Sequence, residues 1–125
     1  MNTPESKEMY LETIYLLHKR GARVKSVDVA ATLGFSRPSV SNAVKKLCAS
    51  GLIYIGKGGE LTLTQEGEKL AAATYERHCV ITDLLMLTGA DKTVAEENAC
   101  RIEHIITEEM FVEIKNFLDK KRRNL

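Results

Sequence analysis

Ser36-Arg37-Pro38-Ser39-Val40-Ser41-Asn42-Ala43-Val44-Lys45-Lys46-Leu47, residues 36–47, is the stretch on which the fold turns. A serine stands where a helix N-cap is wanted, and a proline follows in the first turn, where its missing N–H costs nothing. Val40, Ala43, Val44 and Leu47 recur at helical spacing and form one apolar stripe, which Gly51 ends. The start of the helix is polar and small, with Ser36, Arg37, Ser39, Ser41 and Asn42, and Lys45 and Lys46 follow. A helix that only packs against neighbours has no need of such an N-terminus.

Working outward, Ser26 reads as the N-cap of a short helix that Gly34 ends. Two short helices joined by a tight glycine-containing turn predict a helix-turn-helix, whose second helix meets base edges in the major groove with its N-terminal residues. Downstream, Leu52-Ile53-Tyr54-Ile55 and Leu61-Thr62-Leu63-Thr64 read as strands around the turn Gly56-Lys57-Gly58-Gly59, a hairpin with basic Lys57 at its tip. A hairpin directly after a recognition helix is the wing of a winged helix. Tyr10, Leu11, Ile14, Tyr15 and Leu17 predict a helix over 6–19, and Thr64-Gln65-Glu66-Gly67 opens a long one over about 68–87. The fold class is therefore mainly α, with an N-terminal winged helix-turn-helix in residues 1–72 and a helical C-terminal domain in residues 73–125.

Charge follows the same division. The chain of 125 residues carries a net charge of +1, yet residues 18–58 hold eight basic residues against the single acid Asp28. That local excess of +7 leaves −6 for the rest. A basic segment in a neutral protein reads as a polyanion-binding surface or as a solvated face. Hydrophobic residues at 44% and charged residues at 28% describe an ordinary globular chain. No apolar run approaches the ~20 residues of a membrane span. The start, Met1-Asn2-Thr3-Pro4-Glu5, has no leader pattern, which places the protein in the cytoplasm with no membrane partner. Cys48, Cys79 and Cys100 cannot all pair within one chain and read as core thiols or metal ligands.

Cys100, Glu103 and His104 stand at i, i+3 and i+4 and read as one helix face bearing a thiol, a carboxylate and an imidazole. Those three suit a borderline transition ion, although a small thiol on a helix also reads as a core residue. Met9 and Glu12 on the first helix, and His78 on the long one, add a thioether, a carboxylate and an imidazole. Cys48 reads as core, His18 has no evident partner, and Lys120-Lys121-Arg122-Arg123 reads as a solvated tail. The stripe Met110, Phe111, Ile114, Phe117 and Leu118 reads as dimer or core packing.

Five segments together resemble the diphtheria-toxin-repressor and manganese-transport-regulator family of metal-dependent repressors. They are Glu8-Met9-Tyr10-Leu11-Glu12-Thr13-Ile14-Tyr15, Arg37-Pro38-Ser39-Val40-Ser41, Leu61-Thr62-Leu63-Thr64-Gln65-Glu66-Gly67, Arg77-His78 and Ala99-Cys100-Arg101-Ile102-Glu103-His104. The resemblance implies a homodimer on a palindromic double-stranded DNA operator, with residues 73–125 as the metal-binding and dimerisation domain. It also implies metal sites at the junction of the two regions, and a short form without the SH3-like domain of longer members. Carried over, Met9, Cys100, Glu103 and His104 match the primary site of the iron-responsive branch, whereas Glu12 and His78 match a second site of the manganese-responsive branch. Thr82 and Glu96 replace the glutamate and histidine of the iron branch's ancillary site, so Glu12 and His78 are the expected second pair.

Two sulfur donors disfavour Mn²⁺ and favour Fe²⁺, Co²⁺ or Zn²⁺. Fe²⁺ is the expected co-repressor, with Mn²⁺ next and Co²⁺, Ni²⁺ or Zn²⁺ as substitutes in vitro; no organic cofactor is expected. Arg37, Pro38, Ser39 and Asn42 are the candidates for base contact, and Ser36, Ser41, Lys45, Lys46 and Lys57 complete the DNA surface, the lysines facing phosphates. The alternatives are a small metal-dependent hydrolase and a structural zinc protein. The sequence has no glycine-rich phosphate loop, nucleophile elbow or HExxH for an enzyme.

Overall fold

The computed structural model describes residues 4–124; Met1-Asn2-Thr3, read above for lack of a leader, lies outside them. In chain order the elements are α1 (Pro4–Lys19), α2 (Ser26–Leu33), α3 (Arg37–Ala49), β1 (Ile53–Ile55), β2 (Leu61–Leu63), α4 (Gln65–Met86), α5 (Lys92–Ile102) and α6 (Glu108–Arg123). The chain divides into two compact units, Met1–Ala72 and Ala73–Leu125. Among the described residues no helix is long and apolar enough to cross a membrane.

The first unit is a winged helix-turn-helix. Tyr10, Leu11 and Ile14 of α1, Val29 of α2, the whole stripe Val40, Ala43, Val44 and Leu47 of α3, and Ile53 and Leu61 of the wing form one buried cluster. Each fully buried aliphatic side chain there contributes about 1.5–3 kcal/mol. Ser36 caps α3 as the sequence predicts, its hydroxyl accepting the Ser39 N–H at 3.3 Å. Gly34 closes α2 at φ +71°, a left-handed conformation that glycine adopts without steric cost.

Several boundaries differ from expectation, α1 for one beginning at Pro4 rather than residue 6. The N-cap of α2 is Lys25, not Ser26: Lys25 is extended, and its N–H donates to the Asp28 carboxylate at 2.8 Å, which fixes the boundary one residue earlier. The strands are three residues each, paired antiparallel Ile53↔Leu63, Tyr54↔Thr62 and Ile55↔Leu61. Thr64 instead leaves the strand to cap α4. Its hydroxyl accepts the Gly67 N–H at 3.1 Å and donates to Gly51 O at 2.7 Å, so α4 begins at Gln65 rather than near residue 68.

Residues 120–123, expected as a solvated tail, are the last turn of α6, where four cations oppose the negative end of the helix dipole.

Two side chains also differ from expectation. His18 has a partner: its Nε2 donates to Leu61 O at 2.8 Å, and Leu61 N in turn donates to Val24 O at 2.7 Å, so the return strand of the wing is held from α1 and from the α1–α2 link. Cys48 is exposed rather than core, because it lies off the buried stripe of Val40, Ala43, Val44 and Leu47 at the end of the helix.

The second unit contains the latter part of α4 with α5 and α6, and it buries Ile81, Ala95, Ala99, Phe111 and Leu118. Asp91 caps α5 by accepting the Val94 N–H at 2.9 Å, and Thr107 caps α6 by accepting the Met110 N–H at 3.1 Å. Surface ion pairs Lys115–Glu76 and Arg122–Asp83 join α6 to α4 and contribute little by themselves. The α6 stripe divides: Phe111 and Leu118 are buried and Ile114 is half-buried, while Met110 and Phe117 are exposed.

Candidate metal centre and nucleic-acid interface

The second unit gathers donors from two helices and a turn. His78 stands on α4, Cys100 on the last turn of α5, and Glu103 at its C-cap. Donor atoms of these three lie within 4.8 Å of one another. Metal–sulfur bonds run about 2.3 Å and metal–nitrogen or –oxygen bonds about 2.0–2.2 Å, so donors this close meet one small ion after a modest inward shift. The Glu103 side chain is 0% exposed. Its Oε2 accepts from His78 Nδ1 at 2.9 Å, and its Oε1 lies 3.3 Å from His104 Nε2 without an aligned hydrogen bond. A buried carboxylate flanked by two imidazoles and a thiol is a donor set that fits a divalent transition ion.

The spacing of Cys100, Glu103 and His104 does not act as one helix face. Helix α5 ends at Ile102, Glu103 keeps helical angles as its cap, and His104 lies in the following turn. The turn carries His104 to one oxygen of Glu103 while α4 brings His78 to the other. His78 thus stands with Cys100 and Glu103, where the sequence grouped it with Glu12. Met9 and Glu12 stand one turn apart on α1 in the first unit, Met9 half-buried and Glu12 buried. Glu96, read only as a replaced residue, places its carboxylate 3.7 Å from His78 Nε2. Its spacing of 18 residues from His78 gives no signal of this.

Burial works against the charge on Glu103, but the His104 and His78 imidazoles outweigh it and hold the carboxyl below the usual range. His78 is pushed up to about 11, chiefly by the Cys100 and Glu103 side chains that accept its hydrogens, with burial opposing. A raised cation stabilises the fold fully below the ordinary histidine value of 6.5 and loses that contribution as pH climbs through about 11. The melting temperature of the metal-free protein is therefore expected to exceed that of His78→Gln by a margin that shrinks as pH rises above 6.5. Thermal melts in chelator across that window read the margin, and a constant one removes the ion pair from the account. An ion bound at His78 must displace the same proton, so uptake should release it.

In the first unit, Ser36, Arg37, Pro38, Ser39, Asn42, Lys45 and Lys46 are exposed on α3, Ser41 is half-buried, and Lys57 is exposed at the wing tip. Ser36 Oγ also donates to Ser39 Oγ at 2.9 Å, which steadies the start of the helix. Ser39, Asn42, Ala43 and Lys46 line a groove of about 150 Å³ along one face of α3. Hydroxyl, amide and ammonium groups at i, i+3 and i+7 suit the edges and phosphates of a duplex.

Residues 2–59 match the family model for the N-terminal DNA-binding domain of iron-dependent repressors, and residues 64–124 match the metal-binding and dimerisation domain of the same family. The chain belongs to the iron-dependent repressor family. Membership makes it a metal-dependent transcriptional regulator of the diphtheria-toxin-repressor and manganese-regulator type, and not an enzyme.

Among its relatives, the transcriptional regulator MntR of Escherichia coli is 35% identical over 111 residues, covering 89% of this chain and 72% of the relative. The diphtheria toxin repressor of Corynebacterium glutamicum is 32% identical, covering 96% and 53%. The solved structure of the manganese regulator SloR superposes with a TM-score of 0.80 at 31% identity, covering 90% of this chain and 53% of that one. The chain thus spans about half the length of the latter two. The first family match ends in the wing and the second begins at Thr64, the cap of α4.

Proposed function

We propose that this family member is a homodimeric repressor that binds a palindromic operator when Fe²⁺ is held by a site containing Cys100 and Glu103. The observation that carries this reading is the second-unit cluster of His78, Cys100 and Glu103, whose donors converge within 4.8 Å. Met9, Glu12 and His104 complete the proposed ligand set on the strength of the family resemblance. A bound ion would supply a Lewis-acidic centre that neutralises the buried Glu103 charge. His78 gives up its proton to bind, Glu103 offers one oxygen toward each imidazole, and Cys100 offers a thiolate. The thiolate and the Met9 thioether support Fe²⁺ over Mn²⁺, which prefers oxygen ligands. Exposed Met110, Val112 and Phe117 support the second unit as the dimer-forming one.

Fluorescence anisotropy on operator DNA under anaerobic conditions, with metals titrated one at a time, tests the metal. Fe²⁺ is expected to promote binding at lower free concentration than Mn²⁺, and the reverse order would reassign the protein to manganese.

DNA contacts should divide into two kinds. Asn42→Ala is expected to cost about 1–3 kcal/mol at its cognate base pair and to relax preference there. Lys57→Ala should instead weaken all sequences alike and lower the salt slope by about 1. Anisotropy with single-base operator variants at several salt concentrations separates them. If Asn42→Ala loses affinity uniformly, Asn42 is a backbone contact.

A further inference from the structure

The turn that carries Glu103 and His104 is held only in part by its own helix, α5. Its main-chain bonds are few: Glu103 N donates to Ala99 O, and Ile105 and Ile106 N both donate to Ile102 O. The carbonyls of Glu103 and Ile106, at the two ends of the turn, are taken by one side chain from another helix. Arg77 Nη1 donates to Glu103 O at 3.3 Å and to Ile106 O at 2.9 Å, and Nη2 donates to the Glu108 carboxylate at 2.6 Å. The Arg77 guanidinium carbon lies over the Phe111 ring, 5.4 Å from its centre.

We propose that Arg77 is a positioning residue for the metal centre, fixing the 103–106 turn at the distance from α4 that its neighbour His78 requires. Arg77 and His78 are consecutive on α4, so the residue that clamps the turn and the residue that meets Glu103 move as one. A simple surface ion pair does not account for the arrangement. Glu108 is 73% exposed, Arg77 only 19%, and two of the three acceptors are main-chain carbonyls of the ligand-bearing turn. One guanidinium nitrogen, Nη1, takes both ends of the turn while Nη2 is anchored on Glu108, and an ammonium has no second nitrogen to fix the direction of the first.

The inference rests on the metal reading above, and Co²⁺ serves as the test ion because its visible absorption reports the geometry of its ligands. The full chain is titrated anaerobically with Co²⁺ as wild type, Arg77→Gln and Arg77→Lys, with circular dichroism to confirm folding. Arg77→Gln is expected to bind Co²⁺ about 10- to 100-fold more weakly, with shifted bands, since loss of a residue that orients ligands has that effect. Arg77→Lys keeps the charge beside Glu108 and should show the same changes to a smaller degree, and it carries the test should Arg77→Gln not fold. A lower melting temperature with unchanged affinity and bands in the folded variant would make Arg77 purely structural and overturn the proposal. Wild type that takes up no Co²⁺ overturns the metal reading itself, and this proposal with it.

Discussion

Glu103→Gln is expected to abolish metal-dependent operator binding while leaving a folded protein. The substitution keeps the shape of a side chain with no exposed surface and keeps an oxygen for the 2.9 Å bond from His78. It removes the negative charge that an ion would neutralise and turns one carboxylate oxygen of the converging set into an amide NH₂, which has no lone pair to offer a metal. Residues that merely orient ligands cost about 10–100-fold in affinity when lost, so a ligand should cost at least the upper end of that range. His78 loses the carboxylate that helps hold its proton, so its pKa should fall back toward the ordinary value. Metal titration by calorimetry and anisotropy on operator DNA read both effects. A Glu103→Gln protein that still binds DNA in response to metal would place the sensing site elsewhere.

Gly67→Ala should be the most damaging small substitution in the first unit. A Cβ built there would lie 2.0 Å from Leu52 O and 3.0 Å from Leu52 C, both of them main-chain atoms. Alanine favours helix over glycine by about 1 kcal/mol, which alone would predict stabilisation. Overpacking typically costs about 1–3 kcal/mol, and the obstacle here is backbone that cannot rotate aside, so the upper end applies and outweighs propensity. The net loss of about 2 kcal/mol corresponds to a drop of about 10 °C in melting temperature. Gly56→Ala is the control, since its nearest contact is an ordinary 3.6 Å and its effect should stay within about 0.5 kcal/mol. Equal melts for the two variants would mean that α4 shifts freely against the Leu52 backbone.

Gly67 also shows how far the sequence could be read. It stands in a recognisable motif, but the reason that only glycine fits lies in Leu52, 15 residues away, and appears only when the helix start is laid on the wing. The same holds for His18, whose carbonyl partner at Leu61 is 43 residues distant. Helix α3 was the opposite case. Its cap, its proline, its stripe and its exposed polar face all follow from interactions within one or two turns, and each stands where the residues put it.

At the metal centre the residue types were legible and their partnership was not. Thiol, carboxylate and imidazole at i, i+3 and i+4 marked the place, because a ligand's chemistry belongs to its side chain. The pattern implied one helix face, whereas α5 stops at Ile102 and the turn divides the imidazoles between the two oxygens of Glu103. The sequence determined the winged helix-turn-helix, its basic surface and the donors, since these depend on local spacing and on side-chain type. Tertiary structure alone decided that His78 meets Cys100 and Glu103 and that Arg77 clamps the turn beside them. Those contacts depend on where separate helices come to lie, and spacing along one helix carries no record of that.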